Sequence, residues 1–246
     1  MSDSSKEDIP IIINGKPYPD IVKNPLNEIA LTSYILGALF GISLGLIPFV
    51  SFRAFNLYLM ALSTFHFLEF YITAKYNRGK VHSESFLINN GVEYISAHLV
   101  AICECSIERV FFNSAKRSDS SFINSIIFIV GLCLVIIGQV IRSLAMYTAG
   151  QSFSHIVKTS KIEDHDLVTD GIYSFFRHPS YFGFFWWAIG TQMMLLNPIS
   201  FVLFSFVLWR FFSKRINYEE KYLVEFFGKK YLDYKKTVPV RIPFIN

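Results

Sequence analysis

The chain has 246 residues, of which 52% are hydrophobic, 17% aromatic and only 17% charged, with a net charge of +4. Charged residues average about a quarter of a soluble domain, so an ordinary water-soluble globule is excluded. No basic stripe with interleaved aromatics suits a nucleic-acid groove. Cys103, Cys105 and Cys133 all fall inside apolar runs. They read as small hydrophobes rather than as a disulfide framework or a metal site.

Residues 1–28 form a polar leader with Pro10, Pro19 and Pro25. Residues 29–147 read as a four-span membrane scaffold, each apolar run approaching the ~20 residues that cross a bilayer. The first, 29–50, carries Gly37, Gly41 and Gly45 on one face, a spacing that lets helices approach closely in lipid. The second, 54–74, carries His66 and Glu69 on one face. The third, 85–112, carries Glu93, Glu104, Glu108 and Arg109. Ionisable groups are costly in lipid, so that face is expected to pair with other helices. The fourth, 122–147, carries Arg142 near its end.

Residues 148–246 form the site-bearing region. A long polar segment leads into a helical hairpin over 179–212, broken at Asn197-Pro198, and a polar C-terminal tail follows. Lys75, Arg78 and Lys80 flank one side of the spans with Lys214, Arg215 and the lysines of the tail. The positive-inside rule then puts both termini in the cytosol. The fold class predicted is all-α: a polytopic integral membrane protein of about six transmembrane helices, with the C-terminal hairpin and cytosolic site segments.

Two polar, aromatic blocks flank the hairpin: GIYSFFRHPSYFG, from Gly171 to Gly183, and RFFSKRINYEEKYLVEFFGKKYLDYKKTVP, from Arg210 to Pro239. Pro179 at a first helical position is favourable, and the free N–H groups of that turn can hold a polar ligand. Tyr173, Phe175, Phe176 and Tyr181 suit an interfacial aromatic belt or a pocket for a flat ring or a sulfonium. Arg215 and Glu219 share a helix face, as an ion pair or with separate tasks: Arg215 forking onto a carboxylate, Glu219 accepting hydroxyl hydrogens.

RHPSYFG, followed across the hairpin by EEKYLVEFFGKKYLDYKKTVP and preceded by AMYTAGQSFSHIV and HDLVTDGIY, resembles the isoprenylcysteine carboxyl methyltransferases. The resemblance covers about residues 142–245. It implies S-adenosylmethionine as cofactor, a prenylated C-terminal cysteine of CaaX proteins as substrate, and a cytosol-facing site in the endoplasmic reticulum membrane. It assigns the cofactor to His165, Asp166, Leu167 and Val168, to Tyr173, to His178, Pro179, Ser180 and Tyr181, and to Glu219. Lys158, where relatives often carry glutamine, joins that set, although lysine supplies donors and no acceptor. Arg215 addresses the substrate, and Arg142 helps to orient its carboxylate. Alternatives are a phospholipid N-methyltransferase, a sterol reductase and a non-enzymatic membrane carrier. A homo-oligomer is compatible with the sequence.

Overall fold

The computed structural model describes residues 11–13, 16–18, 24–114, 116–159 and 166–245. Seven helices run in order: α1 (Leu26–Leu46), α2 (Arg53–Tyr76), α3 (Val92–Phe111), α4 (Phe122–Ala149), α5 (Pro179–Met194), α6 (Pro198–Phe227) and α7 (Lys229–Thr237). A short antiparallel pair, β1 (Ile11–Ile13) and β2 (Lys16–Tyr18), stands within the leader and departs from the purely helical expectation.

Among the described residues, three helices are long and apolar enough to cross a membrane: α1, α2, and α4 with its short extension to Ser152. The other candidates fall short for physical reasons. Helix α3 carries Glu93, Glu104, Glu108 and Arg109 within its 20 residues, and α5 has only 16 residues. Helix α6 has 30 residues and runs on past the apolar stretch that ends at residue 212, which puts Arg215 and Glu219 on one continuous helix as their spacing predicts. Nothing breaks it before Gly228, whose φ of 52° turns the chain into α7. At 1.5 Å per residue it is about 45 Å long, so Arg215, Glu219 and Glu220 are carried on a rigid rod.

Helix α5 is the central element, and most of its residues are buried. Its contact with α4 is made backbone to backbone. A Cβ on Gly138 would meet Gly183 O at 2.6 Å and Trp187 N at 2.7 Å, and one on Gly131 would meet Met194 N at 2.5 Å and Gly190 O at 2.8 Å. The two glycine pairs, Gly131 with Gly190 and Gly138 with Gly183, form an antiparallel seam that any side chain would open. Without a hydrophobic force between helices in lipid, such close packing is what holds them together. On α1 the glycine spacing allows either a packed face or the ordinary abundance of glycine in membrane helices, and the second holds within the described residues: Gly37, Gly41 and Gly45 have nothing within 4 Å of their would-be Cβ positions. Spacing alone does not distinguish a packed glycine face from an open one.

The polar face of α3 is used for helix-to-helix pairing, as expected. Glu104 accepts from Ile199 N and Ser200 N, both at 2.7 Å, and so caps α6. Glu108 pairs with Lys116 at 2.5 Å. The Lys116 ammonium, 2% exposed, also donates to Leu195 O, Leu196 O and Asn197 Oδ1, pinning the α5–α6 turn. Glu93 stays exposed and outside this network. Cys103, Cys105 and Cys133 are all free, as expected.

The chain beyond α7 folds back onto the hairpin. Val240, Ile242 and Ile245 pack with Phe185, Ile189, Phe212 and Ile216 of α5 and α6. Arg177 N donates to Pro239 O at 3.0 Å, so the segment entering α5 and the chain leaving α7 are laced together.

Candidate active site

The two flanks of the hairpin meet at the Pro179 end of α5. The backbone turns through a short 3-10 segment, Gly171–Ser174, and His178 then precedes the helix. Tyr181 N and Phe182 N both donate to the His178 carbonyl, and Pro179 has no N–H. Fewer first-turn donors are therefore free than the sequence implies. Among the described residues, the Ser180 N–H has no backbone partner.

From the other flank, α6 brings two adjacent carboxylates. Tyr181 OH donates to Glu219 Oε2 at 2.7 Å, and His178 Nδ1 stands 3.7 Å from the same oxygen. The His178 and Tyr181 rings stack, 7° from parallel, with centroids 5.5 Å apart. Arg215 Nε donates to Tyr181 OH at 2.9 Å, and Arg215 Nη2 donates to His155 O at 2.5 Å. Among the described residues Arg215 Nη1 has no hydrogen-bond partner, and the guanidinium packs over the Tyr181 and Phe211 rings, 5.3 and 5.8 Å from their centroids. The predicted face-sharing of Arg215 and Glu219 is thus realised through Tyr181, which sits between them.

Glu220 turns the opposite way and is 4% exposed. Its Oε1 accepts from Arg177 Nε at 2.5 Å and stands 3.2 Å from His178 Nε2, while Oε2 accepts from Lys235. Burial pushes its carboxyl upward, but hydrogen bonds from His178, Lys235 and Arg177 and the charge of His178 outweigh that and hold it at about 2. Arg177 Nη1 reaches Val238 O at 2.7 Å, and Tyr234 OH donates to Tyr173 O at 2.6 Å. Helix α7 is thereby clamped against the segment that enters α5.

One cavity opens among these groups. It is lined by Asp166, Leu167, Val168, Tyr173, His178, Pro179, Ser180, Tyr181 and Glu219, and also by Arg177, Leu223, Tyr231 and Tyr234. Lys158 lies beside an adjoining recess that shares Glu219 and Leu223 with the cavity, and its Nζ reaches Ser152 O at 3.5 Å. His165 lies outside the described residues. Arg142 is deeper, on α4. Its Nε and Nη2 grip Glu69 of α2, Nη2 at 2.9 Å, and its Nη1 donates to Ser180 Oγ at 3.0 Å.

Glu220, Arg177, Tyr231, Tyr234, His155 and Glu69 are among the groups at this site that the sequence did not single out for a site role, as are Leu223 and Phe227 of the lining. For Glu220 the doublet EE was visible. Which member faces the cavity depends on where α7 docks, and that is a tertiary fact.

The lining suits an adenosyl sulfonium. Aromatic faces and the Leu167 and Val168 side chains can cover a flat ring, and the Glu219 carboxylate can accept hydroxyl hydrogens or stand near a cation. Comparison with known proteins narrows this. Residues 129–225 match the model of the isoprenylcysteine carboxyl methyltransferase family. The protein-S-isoprenylcysteine O-methyltransferase of Saccharomyces cerevisiae is 60% identical, over 93% of this chain and 95% of the relative. The human enzyme of the same name is 40% identical, over 92% and 78%. The solved structure of the eukaryotic intramembrane Ras methyltransferase superposes with a TM-score of 0.83 at 37% identity, covering 89% of this chain and 77% of that one. This chain belongs to the isoprenylcysteine carboxyl methyltransferase family.

Proposed function

We propose that the protein transfers a methyl group from S-adenosylmethionine to the C-terminal α-carboxylate of a prenylated cysteine on CaaX-processed proteins, giving the methyl ester. The observation that carries this reading is the meeting of His178, Tyr181 and Glu219 around one cavity, in a chain 60% identical to a protein named for that activity. When bound, S-adenosylmethionine supplies an electrophilic methyl on a sulfonium, so attack by a carboxylate oxygen needs no redox partner.

The chain's own residues bind and orient. An α-carboxyl has a pKa near ~3.5 and is ionised at neutral pH. No general base is required, which agrees with a site built of binding groups. Arg215 points its open Nη1 edge at the acceptor carboxylate, fixed by Tyr181 and the His155 carbonyl. Arg142 acts from behind, with its fork on Glu69 and its last edge on Ser180. Asp166, Leu167, Val168, Tyr173, His178, Pro179, Ser180, Tyr181 and Glu219, which line the one cavity, would hold the cofactor, with Lys158 on the adjoining recess; His165 is assigned to it by resemblance alone. Closing such a site excludes water and strengthens every charge contact within it.

We place the protein in the endoplasmic reticulum membrane with both termini cytosolic. Helices α3, α5 and α6 then complete a six-crossing layout, their polar faces turned into the bundle. The test is transfer of a labelled methyl group from S-adenosylmethionine to a farnesylated cysteine peptide, with phosphatidylethanolamine as competing acceptor. Labelled peptide ester is expected; labelled lipid alone would overturn the reading.

A further inference from the structure

Glu69 stands about two turns before the Tyr76 end of α2 and is 1% exposed. A buried carboxylate there is costly unless it is paired. Arg142 reaches it from α4 with both Nε and Nη2, and spends its remaining Nη1 on Ser180 Oγ at 3.0 Å and Ser180 O at 3.3 Å. The ring of His155 meets the same carboxylate, Nδ1 to Oε2 at 3.7 Å. The carbonyl of that same His155 accepts from Arg215 Nη2 at 2.5 Å. One buried carboxylate is therefore bound directly to Arg142 and lies beside, without a hydrogen bond to, the residue whose carbonyl holds Arg215.

We propose that Glu69 is a positioning residue for methyl transfer, which fills the fork of Arg142 and leaves the acceptor carboxylate to the open edge of Arg215. The proposal rests on the methyl-transfer reading above. Its physical basis is a balance of charge and of lone pairs. Arg142 and Arg215 together carry two positive charges, and a bidentate carboxylate cancels one of them. Without Glu69, the planar fork of Arg142 is the strongest carboxylate receptor nearby. An acceptor drawn onto both forks would have its lone pairs tied up and its oxygen turned away from the methyl carbon. Held by one edge, it keeps an oxygen free to attack. The hydrogen bonds to Ser180 give the same carboxylate a second reach, into the first turn of α5 beneath the cavity. Phe65 of α2 and Phe184 of α5 flank the Arg142 guanidinium at 5.3 and 5.4 Å.

The test uses the full-length protein in vesicles, with a farnesylated cysteine peptide as acceptor. Glu69→Gln keeps the shape and removes the charge. The expected result is a kcat about tenfold lower or more, the scale on which misplaced reacting groups lose rate. The acceptor KM stays unchanged or falls, and the KM for S-adenosylmethionine holds within about twofold. Glu69→Asp, which keeps the charge, recovers part of the lost kcat. Wild-type kcat in Glu69→Gln, or a raised acceptor KM at unchanged kcat, would overturn the proposal. Should Glu69→Gln fail to fold, Glu69→Asp carries the test: its shortened side chain keeps the charge but loosens the grip on Arg142, so a kcat below wild type at an unchanged or lower acceptor KM supports the proposal, and a wild-type kcat overturns it. Absence of transfer by the wild-type protein would remove the functional reading and this inference with it. Transfer by the wild type with an unaltered Glu69→Gln removes the inference alone.

Discussion

Glu219 and Glu220 are neighbours in sequence and face opposite ways. Glu219 borders the cavity and accepts from Tyr181 OH at 2.7 Å, while Glu220 is buried under α7 and holds Arg177, His178 and Lys235. Adjacent helical positions point about 100° apart, so one carboxylate is left for a ligand while the other fastens the two flanks of the hairpin. His178 touches both, which is how ligand site and clamp are joined.

This division predicts two different losses. Glu220→Gln leaves the buried Arg177 without its counter-charge, and breaking a buried pair from one side costs about 3–5 kcal/mol. Thermal unfolding of the purified protein should show that loss. Glu219→Gln should unfold near the wild-type temperature and raise the KM for S-adenosylmethionine about tenfold, since a charged hydrogen-bond acceptor contributes about 1.5–3 kcal/mol.

Acid should act in two windows. Burial pushes the His155 imidazole down to about 4, against the pull of Glu69. The unfolded chain therefore takes up a proton at this residue that the folded chain refuses, and stability falls as pH drops from 6.5 toward about 4. Glu220 behaves as a depressed carboxylate, from 4.5 to about 2. Its contribution is complete above 4.5 and is lost as pH falls toward about 2. Unfolding curves of His155→Ala should be flatter in the upper window only, and those of Glu220→Gln in the lower one only.

The glycine seam between α4 and α5 predicts sharp intolerance. Gly138→Ala places a methyl 2.6 Å from Gly183 O, where only backbone can give way. A loss of about 1–3 kcal/mol is expected from overpacking, and it should appear in the unfolding temperature. Gly41→Ala meets nothing within 4 Å and should leave that temperature unchanged.

Arg215→Lys keeps the charge and loses the planar fork. Lysine cannot hold Tyr181 OH and the His155 carbonyl and still present an edge to the acceptor. A fall in kcat of about tenfold or more is expected for the farnesylated peptide. The KM for S-adenosylmethionine should hold, because Arg215 does not line the cavity. Wild-type turnover would refute the orienting role.

Much of this molecule was legible in its residues. The membrane class followed from composition. The break at Asn197-Pro198 and the helix start at Pro179 are where the turn and N-terminal signals put them. The blocks around RHPSYFG and EEKYLVEFF were recognisable as one site, and nine residues assigned to the cofactor by resemblance line one cavity. The pairing role of the α3 carboxylates followed from the cost of charge in lipid, although Glu93 does not take part. The span count was less legible: six apolar runs were expected, and among the described residues three helices are long and apolar enough to cross a membrane.

The sequence by itself determined which segments are helical and which residue types gather at the hairpin mouth, because both depend on local signals: periodicity, proline and glycine placement, and the chemistry of neighbours. Only the tertiary structure decided that Gly131 and Gly138 are packed while Gly37, Gly41 and Gly45 are open, that Glu220 is the clamp and Glu219 the site carboxylate, and that Glu69 answers Arg142. Each of those depends on which helix face meets which partner across distant parts of the chain, and backbone approach and charge burial exist only once the helices have docked.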